Sequence, residues 1–315
     1  MITPDFKKKV ARLRAQIDEL RHRYHVLNDP EVTDAMYDGL MDELRRIEAE
    51  HPEIVTPDSP TQRVAGKPLD RFEKVVHTVP QWSFNDAFCR EDLEDWQERI
   101  LKILEKKVGR RPGDLTYICE LKIDGLHIVL TYEAGRLHVA ATRGDGRVGE
   151  DVTQNIKTIQ SVPLVLKKPV SLVAEGEVWL SAAMLEKINA ERKKSGELLF
   201  ANPRNVAAGT IRQLDPRIVA TRKLSLTAYD VSAGPLPTPP RVGEGEGGVD
   251  TQAKELLLLK ELGFKTDSNW KVCKTIDEII MCWEYWQKQK KEQPFWIDGI
   301  VVKVNQKKYQ DLLGF

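Results

Sequence analysis

The spacing of apolar positions changes along the chain, and the changes divide it. Over residues 5–50, Phe6, Val10, Leu13, Ile17, Leu20 and Tyr24 recur every three or four residues, the period of one helix face. Asn28-Asp29-Pro30 stops that pattern, Thr33 stands where an N-cap belongs, and Met36, Tyr37, Leu40, Leu44 and Ile47 form a second stripe. Two helices joined so briefly predict an antiparallel hairpin. His51-Pro52-Glu53 ends it, and the turn-rich Thr56-Pro57-Asp58-Ser59-Pro60-Thr61-Gln62 reads as a linker, so a small all-α domain is expected over 1–68.

Beyond it, 79–88 reads as an extended piece with a polar centre, and 91–107 as a helix carrying Leu93, Trp96, Ile100, Ile103 and Leu104. From 116 to 144 the period falls to two, predicting strands at 117–122, 126–133 and 137–143. Further strands are expected at 170–180 and 224–231. Helices are expected at 182–194, from Asn202 onward, at 251–262 and at 276–291, the last with Ile276, Ile279, Ile280, Trp283 and Trp286 as its core stripe. Residues 295–305 are almost continuously apolar, the pattern of a strand buried on both faces. The Pro- and Gly-rich stretch 232–250 is expected to be a mobile insertion within a second domain, 69–315. The fold class expected is α+β, an antiparallel-rich core preceded by a helical hairpin.

Charge narrows the partners. Lys plus Arg number 48 and Asp plus Glu 48, so any nucleic-acid contact must come from local patches. Arg204, Arg212, Arg217 and Arg222 form the one basic cluster away from the N-terminus; it suits phosphate contacts or plain solvation. Cys89, Cys119, Cys273 and Cys282 are widely spaced, with no Cys-x-x-Cys pair. They read as buried thiols in a reducing compartment, not as a zinc or disulfide framework. No apolar run approaches the ~18 residues of a membrane span, and the charged start lacks an apolar signal core, so a cytoplasmic protein without membrane contact is expected.

The candidate chemistry centres on Cys119-Glu120-Leu121-Lys122-Ile123-Asp124-Gly125. In a strand, Ile118, Glu120 and Lys122 share one face and Tyr117, Cys119 and Leu121 the other. A lysine beside a glutamate in apolar surroundings suits a nucleophile with a specificity residue, or else a surface pair before a turn. Lys303, set among valines, needs an anionic partner; aimed at the same pocket, it would also disfavour the charge on Lys122 and neutralise a phosphate. Gly144, Gly146 and Gly149 allow positive φ or close backbone approach, in a ligand-lined loop or a plain hairpin, and Arg143 just before them could reach a phosphate. Glu175 and Glu177 share a face around Gly176, suited to ribose hydroxyls or Mg2+, or to water. At the hairpin junction, Tyr24, His25, Asp34, Tyr37 and Asp38 suit a flat cationic ring bearing a ribose and a phosphate, or else ordinary packing with solvated acids.

Taken in order, these motifs resemble the bacterial NAD+-dependent DNA ligases over nearly the whole chain. Glu120-Leu121-Lys122-Ile123-Asp124-Gly125 is similar to that family's lysine motif. Thr142-Arg143-Gly144-Asp145-Gly146, Gly176-Glu177-Val178 and Asp298-Gly299-Ile300-Val301-Val302-Lys303-Val304-Asn305 are similar to its later signatures. The resemblance implies a nucleotidyltransferase core (ATP-grasp-like adenylation fold) behind a helical domain for nicotinamide mononucleotide. It implies NAD+ as the AMP donor, Mg2+ (or Mn2+), and Lys122 as the catalytic nucleophile. Tyr24, His25, Asp34, Ala35, Met36, Tyr37 and Asp38 would hold the nicotinamide mononucleotide half. Ser83, Phe84, Glu120, Ile123, Asp124, Arg143, Glu177 and Lys303 would hold the rest of the NAD+, and Arg204 and Arg212 would touch DNA. The implied partner is nicked double-stranded DNA, for a monomeric enzyme of replication and repair in the bacterial cytoplasm, at the nucleoid. Gln81-Trp82-Ser83-Phe84-Asn85-Asp86 departs from the family's usual Met-Leu-Ser-Leu. The family's further lysine motif, OB-fold, four-cysteine zinc module, helix-hairpin-helix repeats and BRCT domain are not in this sequence. The chain therefore reads as an adenylation fragment, with zinc expected only in the part beyond it. Competing readings are an ATP-dependent ligase or capping-type nucleotidyltransferase, and a catalytically silent NAD+- or DNA-binding module.

Overall fold

The computed structural model describes residues 3–27, 29, 33–64, 69–232 and 249–314, without the side chains of Asp34 and Ala35; the expected insertion at 232–250 lies almost wholly outside them. Helix α1 (Pro4–His22) is capped by Thr3, whose Oγ1 accepts from Phe6 N at 3.3 Å. Helix α2 (Asp34–Glu50) is capped by Thr33, whose Oγ1 accepts from Met36 N at 3.4 Å. Val10, Leu13 and Ile17 pack on Met41, Leu44 and Ile47 as a small core. The stripe expected on the first helix breaks near its end. Residues Arg23–Leu27 form a π-turn, whose wider winding shifts the face, leaving Tyr24 exposed and Val26 buried.

The linker is docked rather than free. Arg63, in the 3-10 turn Pro60–Val64, donates to the carbonyls of Lys157 (3.1 Å), Ile159 (3.2 Å) and Val162 (3.0 Å). Arg21 donates to the carbonyl of Gln160 in the same loop.

Beyond it come β1 (Lys74–Val76), α3 (Arg90–Val108), β2 (Tyr117–Ile123), β3 (Leu126–Glu133), β4 (Arg136–Thr142), β5 (Val148–Glu150) and α4 (Thr153–Lys157). Then follow β6 (Leu172–Trp179), α5 (Ala182–Lys194), α6 (Pro203–Ile211), α7 (Pro216–Thr221), β7 (Ser225–Ser232) and α8 (Gln252–Leu262). The described chain closes with β8 (Lys271–Cys273), α9 (Ile276–Gln289), β9 (Ile297–Val304) and α10 (Lys307–Leu313). Among the described residues the strands pair antiparallel in three sheets, ordered β4-β3-β6-β7, β8-β2-β9 and β1-β5.

Two cores meet at β2. The larger one joins the four-stranded sheet, through Ile128, Leu130, Ala174 and Leu226, to Ile156, Val206 and Leu259 of the helices. The other gathers Ile100 and Leu104 of α3, Ile279 and Trp286 of α9 and Tyr309 of α10. Alternation along β2 sends Ile118 to the first core and Tyr117, Cys119 and Leu121 to the second.

Two expectations need correction. The core stripe of α9 runs through Cys282, three residues after Ile279, and Trp283 is turned outward at 42% exposure. Among the described residues strand β9 pairs only with β2 and lies at a sheet edge, and residues 297–302 are half-buried or exposed rather than covered on both faces.

Candidate active site

The face of β2 that carries Ile118, Glu120 and Lys122 runs from closed to open. Ile118 is fully buried, Glu120 is buried, and the side chain of Lys122 is 43% exposed. Antiparallel register places Lys303 of β9 opposite Ile118 and Gly299 opposite Lys122. Lys303 therefore sits at the closed end. Its Nζ lies 3.1 Å from Glu120 Oε1 and 3.1 Å from Asp230 Oδ2, and it donates to the carbonyl of Tyr229 at 3.3 Å. This fastens the three-stranded sheet to β7 of the other. Burial opposes the charge of Lys303, but Asp230, Glu120 and Glu255 outweigh it and hold the ammonium above the usual lysine range. Burial raises Glu120 despite Lys303, whereas Asp230, between Lys303 and Lys307, is held well below the usual carboxylate range against its own burial. Glu120 Oε1 is held by charge alone and has no aligned hydrogen bond.

At the open end, Lys122 Nζ lies 2.9 Å from Asp298 Oδ2. The ladder shifts register just after Lys122, and a Cβ on Gly299 would meet nothing within 4 Å. Lys303 has the anionic partners that its place among valines called for, Glu120 and Asp230. Register puts the two lysines at opposite ends of the face, the buried carboxylates claim Lys303, and Asp298 faces Lys122.

The turn after β2 presses on β6. A Cβ on Gly125 would stand 2.3 Å from the carbonyl oxygen of Val178 and 2.8 Å from Cγ of Glu177, so only glycine allows this approach. Burial pushes Glu177 from its ordinary 4.5 up to about 8, with Arg204 and Lys122 offsetting it only partly. Asp124 is raised by burial and by the nearby Asp298, and Arg204 Nη1 lies 3.9 Å from its Oδ1.

The glycine loop is a seat for the extended segment 77–84. Gly144 and Gly146 have φ of 59° and 91°. The Gly146 carbonyl accepts from Gln81 N at 2.7 Å, and that of Arg147 from His77 N at 2.8 Å. Ser83 and Gln81 are thereby set against the site: Arg143 Nη2 donates to Ser83 Oγ at 2.6 Å, and Gln81 Oε1 lies 2.9 Å from His127 Nε2. The other ring nitrogen of His127 lies 2.7 Å from the Tyr229 hydroxyl. Burial, Arg143 and His77 push His127 down to about 4, so it is neutral near pH 7. With one ring proton, the bond pattern assigns Nε2–H as donor to Gln81 and Nδ1 as acceptor from Tyr229. Phe84 is 59% exposed beside this wall, and Ile123, at the end of β2, is buried in the α3–α9 core.

At the hairpin junction the rings of Tyr24 and His25 lie 4.7 Å apart. Burial, Arg21 and Arg63 push His25 down to about 4, and its carbonyl accepts from Lys265 Nζ at 3.4 Å, which ties the junction to the larger domain. Tyr37 is half-buried and raised by burial, within the influence of the same Arg63 and Arg21; Met36 and Asp38 are exposed. The side chains of Asp34 and Ala35 fall outside the described residues. The arginine cluster carries its own carboxylates. Arg212 Nε lies 2.8 Å from Glu150 Oε2 with a second bond to Oε1 at 3.0 Å, and Arg217 grips Asp215. Among the described residues no group of three or more His, Cys, Asp or Glu could hold a metal ion.

The sequence reading missed His127, Tyr229 and Asp230, and passed Asp298 over inside its motif. His127 had a local signal, a polar side chain two residues past the turn glycine; the others gain meaning only through distant partners.

Two family models divide the chain. One, described as the NAD-dependent DNA ligase adenylation domain, matches residues 69–315, and one described as the DNA ligase-like, N-terminal NAD+-binding domain matches residues 3–65. The chain belongs to the NAD-dependent DNA ligase family. It is 48% identical over 309 residues to a DNA ligase of Halothermothrix orenii, covering 98% of this chain and 43% of that protein. It is 44% identical over 307 residues to one of Thermotoga petrophila, covering 98% and 42%. A DNA ligase of Anoxybacillus flavithermus is 44% identical over 310 residues, covering 98% and 44%. The chain thus spans less than half the length of these ligases. Among the described residues no helix is long and apolar enough to cross a membrane.

Proposed function

We propose that this chain carries out the self-adenylylation step of a NAD+-dependent DNA ligase, with 1–68 as the nicotinamide mononucleotide domain and 69–315 as the adenylation domain. The observation that carries the reading is the placement of Lys122. It is the half-exposed lysine at the open end of a strand face whose other charges are buried and paired. Lys122 Nζ, once it has given up a proton, attacks the α-phosphorus of NAD+. The bond from that phosphorus to the bridging oxygen breaks, nicotinamide mononucleotide leaves with the electron pair, and a lysyl-AMP phosphoramide remains. Asp298, 2.9 Å away, orients Nζ and stands where the released proton must pass. Glu177, protonated at neutral pH by its burial, offers a hydrogen bond to the ribose. Glu120 and Arg143 contact the AMP half, with Ser83 and Phe84 lining it, and Lys303 holds Glu120 in place. Tyr24, His25, Asp34, Ala35, Met36, Tyr37 and Asp38 take the nicotinamide mononucleotide half. Magnesium, when bound, would supply neutralisation of phosphate charge.

In the longer enzyme the AMP passes to the 5′-phosphate of a nick in double-stranded DNA, and the 3′-hydroxyl displaces it. A monomer working in the cytoplasm fits that role. The test is intact-protein mass after incubation with NAD+ and Mg2+, beside an ATP control and Lys122→Ala. One AMP gained with NAD+ only, absent from the variant and reversed by nicotinamide mononucleotide, is the expected result. A gain with ATP instead moves the protein to the ATP-dependent branch, and NAD+ binding without any adduct makes it a silent binding module.

A further inference from the structure

His127 links the 77–84 segment to the buried Lys303 cluster, and the chemistry of adenylylation leaves it without a task. It stands opposite Glu177 in the β3–β6 ladder, with a side chain 17% exposed. One amide fixes the direction of the protons around it. Gln81 is 4% exposed, and its Nε2 donates at 2.9 Å to the carbonyl of Val79, which can only accept. The amide oxygen therefore faces His127 Nε2 at 2.9 Å, and that ring nitrogen donates. Glu175 Oε2, 3.8 Å from the same nitrogen, also favours a proton there. Nδ1 is left bare and accepts from the Tyr229 hydroxyl at 2.7 Å.

The two arms end on groups that are held very differently. The Nδ1 arm reaches Tyr229, whose ring lies 5.3 Å from Lys303 Nζ and whose carbonyl Lys303 bonds. Lys303 is already fastened by Glu120 and Asp230, so it needs little from that hydroxyl. The Nε2 arm reaches a segment that lies outside every helix and strand and carries Ser83, the acceptor for Arg143. Its main chain meets the glycine loop through the amides of His77 and Gln81. Building on the reading of Ser83 and Arg143 as contacts of the AMP half, we propose that His127 is a positioning residue for NAD+ binding, acting through Nε2 and Gln81. Contacts on the AMP half are made before and during the attack alike, so misplacing them weakens NAD+ binding and leaves the maximal rate in place.

The test is single-turnover adenylylation, followed by intact mass against NAD+ concentration. His127→Gln sets an amide NH2 near the place of Nε2 and keeps the bond to Gln81. His127→Asn sets an amide oxygen near the place of Nδ1 and keeps only the bond from Tyr229. His127→Ala and His127→Asn should raise the half-saturating NAD+ concentration about five- to tenfold with the maximal rate within about twofold, and His127→Gln should recover most of that loss. The Gln and Asn variants each lose one bond and should share a urea midpoint, so stability cannot produce the split. Hydrogen exchange over 77–84 in the nucleotide-free protein should be faster in the Ala and Asn variants than in the natural sequence, and slowed again in the Gln variant. Exchange needs no adduct. A natural chain that gains no AMP therefore removes the adenylylation reading, while exchange still decides the role of His127. Equal half-saturation in the Gln and Asn variants overturns the proposal, as does rescue by Asn instead of Gln, or exchange over 77–84 that no variant changes.

Discussion

Lys303 and Lys122 project from paired strands onto one face and differ in almost everything else. The side chain of Lys303 is 8% exposed and is gripped by Glu120, Asp230 and a main-chain carbonyl. The side chain of Lys122 is 43% exposed and faces Asp298, itself 43% exposed. At the closed end each charge has a desolvated partner, so moving one leaves another stranded. At the open end water can replace either partner at little cost. The same side chain is a fastener in one setting and loosely held in the other. Burial and the number of carboxylates decide which.

The sharpest break of this comparison is Lys122→Arg. The guanidinium keeps the charge opposite Asp298 but cannot act as the nucleophile, so the AMP adduct should vanish from the intact mass while the urea midpoint stays within error. Lys303→Met should act on stability first. It strands Glu120 and Asp230 and should cost about 3–5 kcal/mol, read as a lower urea midpoint at unchanged slope.

Glu177 sharpens the contrast through pH. Its pKa is raised on folding from 4.5 to about 8, so between those values the folded protein holds a proton that the unfolded chain has lost. Stability contributed by this group is therefore fully present below about pH 4.5, falls as pH rises through the window, and levels off above about 8. Glu177→Gln should remove that decline, so the stability gap between the two proteins should move in favour of the variant from pH 5 to pH 8, as urea titrations at several pH values would show. A gap that does not change with pH would mean that Glu177 is ionised in the folded protein.

Gly125→Ala places a methyl 2.3 Å from the Val178 carbonyl and should cost about 1–3 kcal/mol as β6 is pushed away, with slower adduct formation. Arg212→Ala removes an exposed bidentate pair with Glu150 and should change stability by no more than about 1 kcal/mol in the same titration.

Much of the frame was legible because it is local. The alternation at 117–122 predicted which side chains of β2 face each way, and the two cores follow it residue by residue. The glycines at 144, 146 and 149 allowed positive φ or close approach; Gly144 and Gly146 have the first, and a Cβ on Gly149 would stand 1.8 Å from the Thr142 carbonyl oxygen. Thr33 and Asn202 predicted helix starts and cap them. What stayed hidden depends on partners far away in sequence. Nothing near Lys303 announces Asp230, 73 residues earlier, and nothing near His127 announces Tyr229, 102 residues later. The α9 stripe failed for a different reason: Trp283 and Cys282 fit nearly the same helical spacing, and size favoured the tryptophan when packing chose the thiol. The apolar run at 295–305 suggested double burial, but hydrophobicity does not reveal whether a strand will have one neighbour or two.

Arg63 has a consequence for how the two parts of the molecule stay joined. Its acceptors are three main-chain oxygens, of Lys157, Ile159 and Val162. A carbonyl is present whatever side chain the position carries, so substitutions across that loop leave the acceptors chemically intact as long as the backbone keeps its path. The joint is asymmetric: one partner is interchangeable along its length, and the other is one arginine side chain, to which Arg21 adds a single bond in the same loop. Drift on the core side is absorbed silently, whereas the loss of one arginine unfastens the linker at all three points at once.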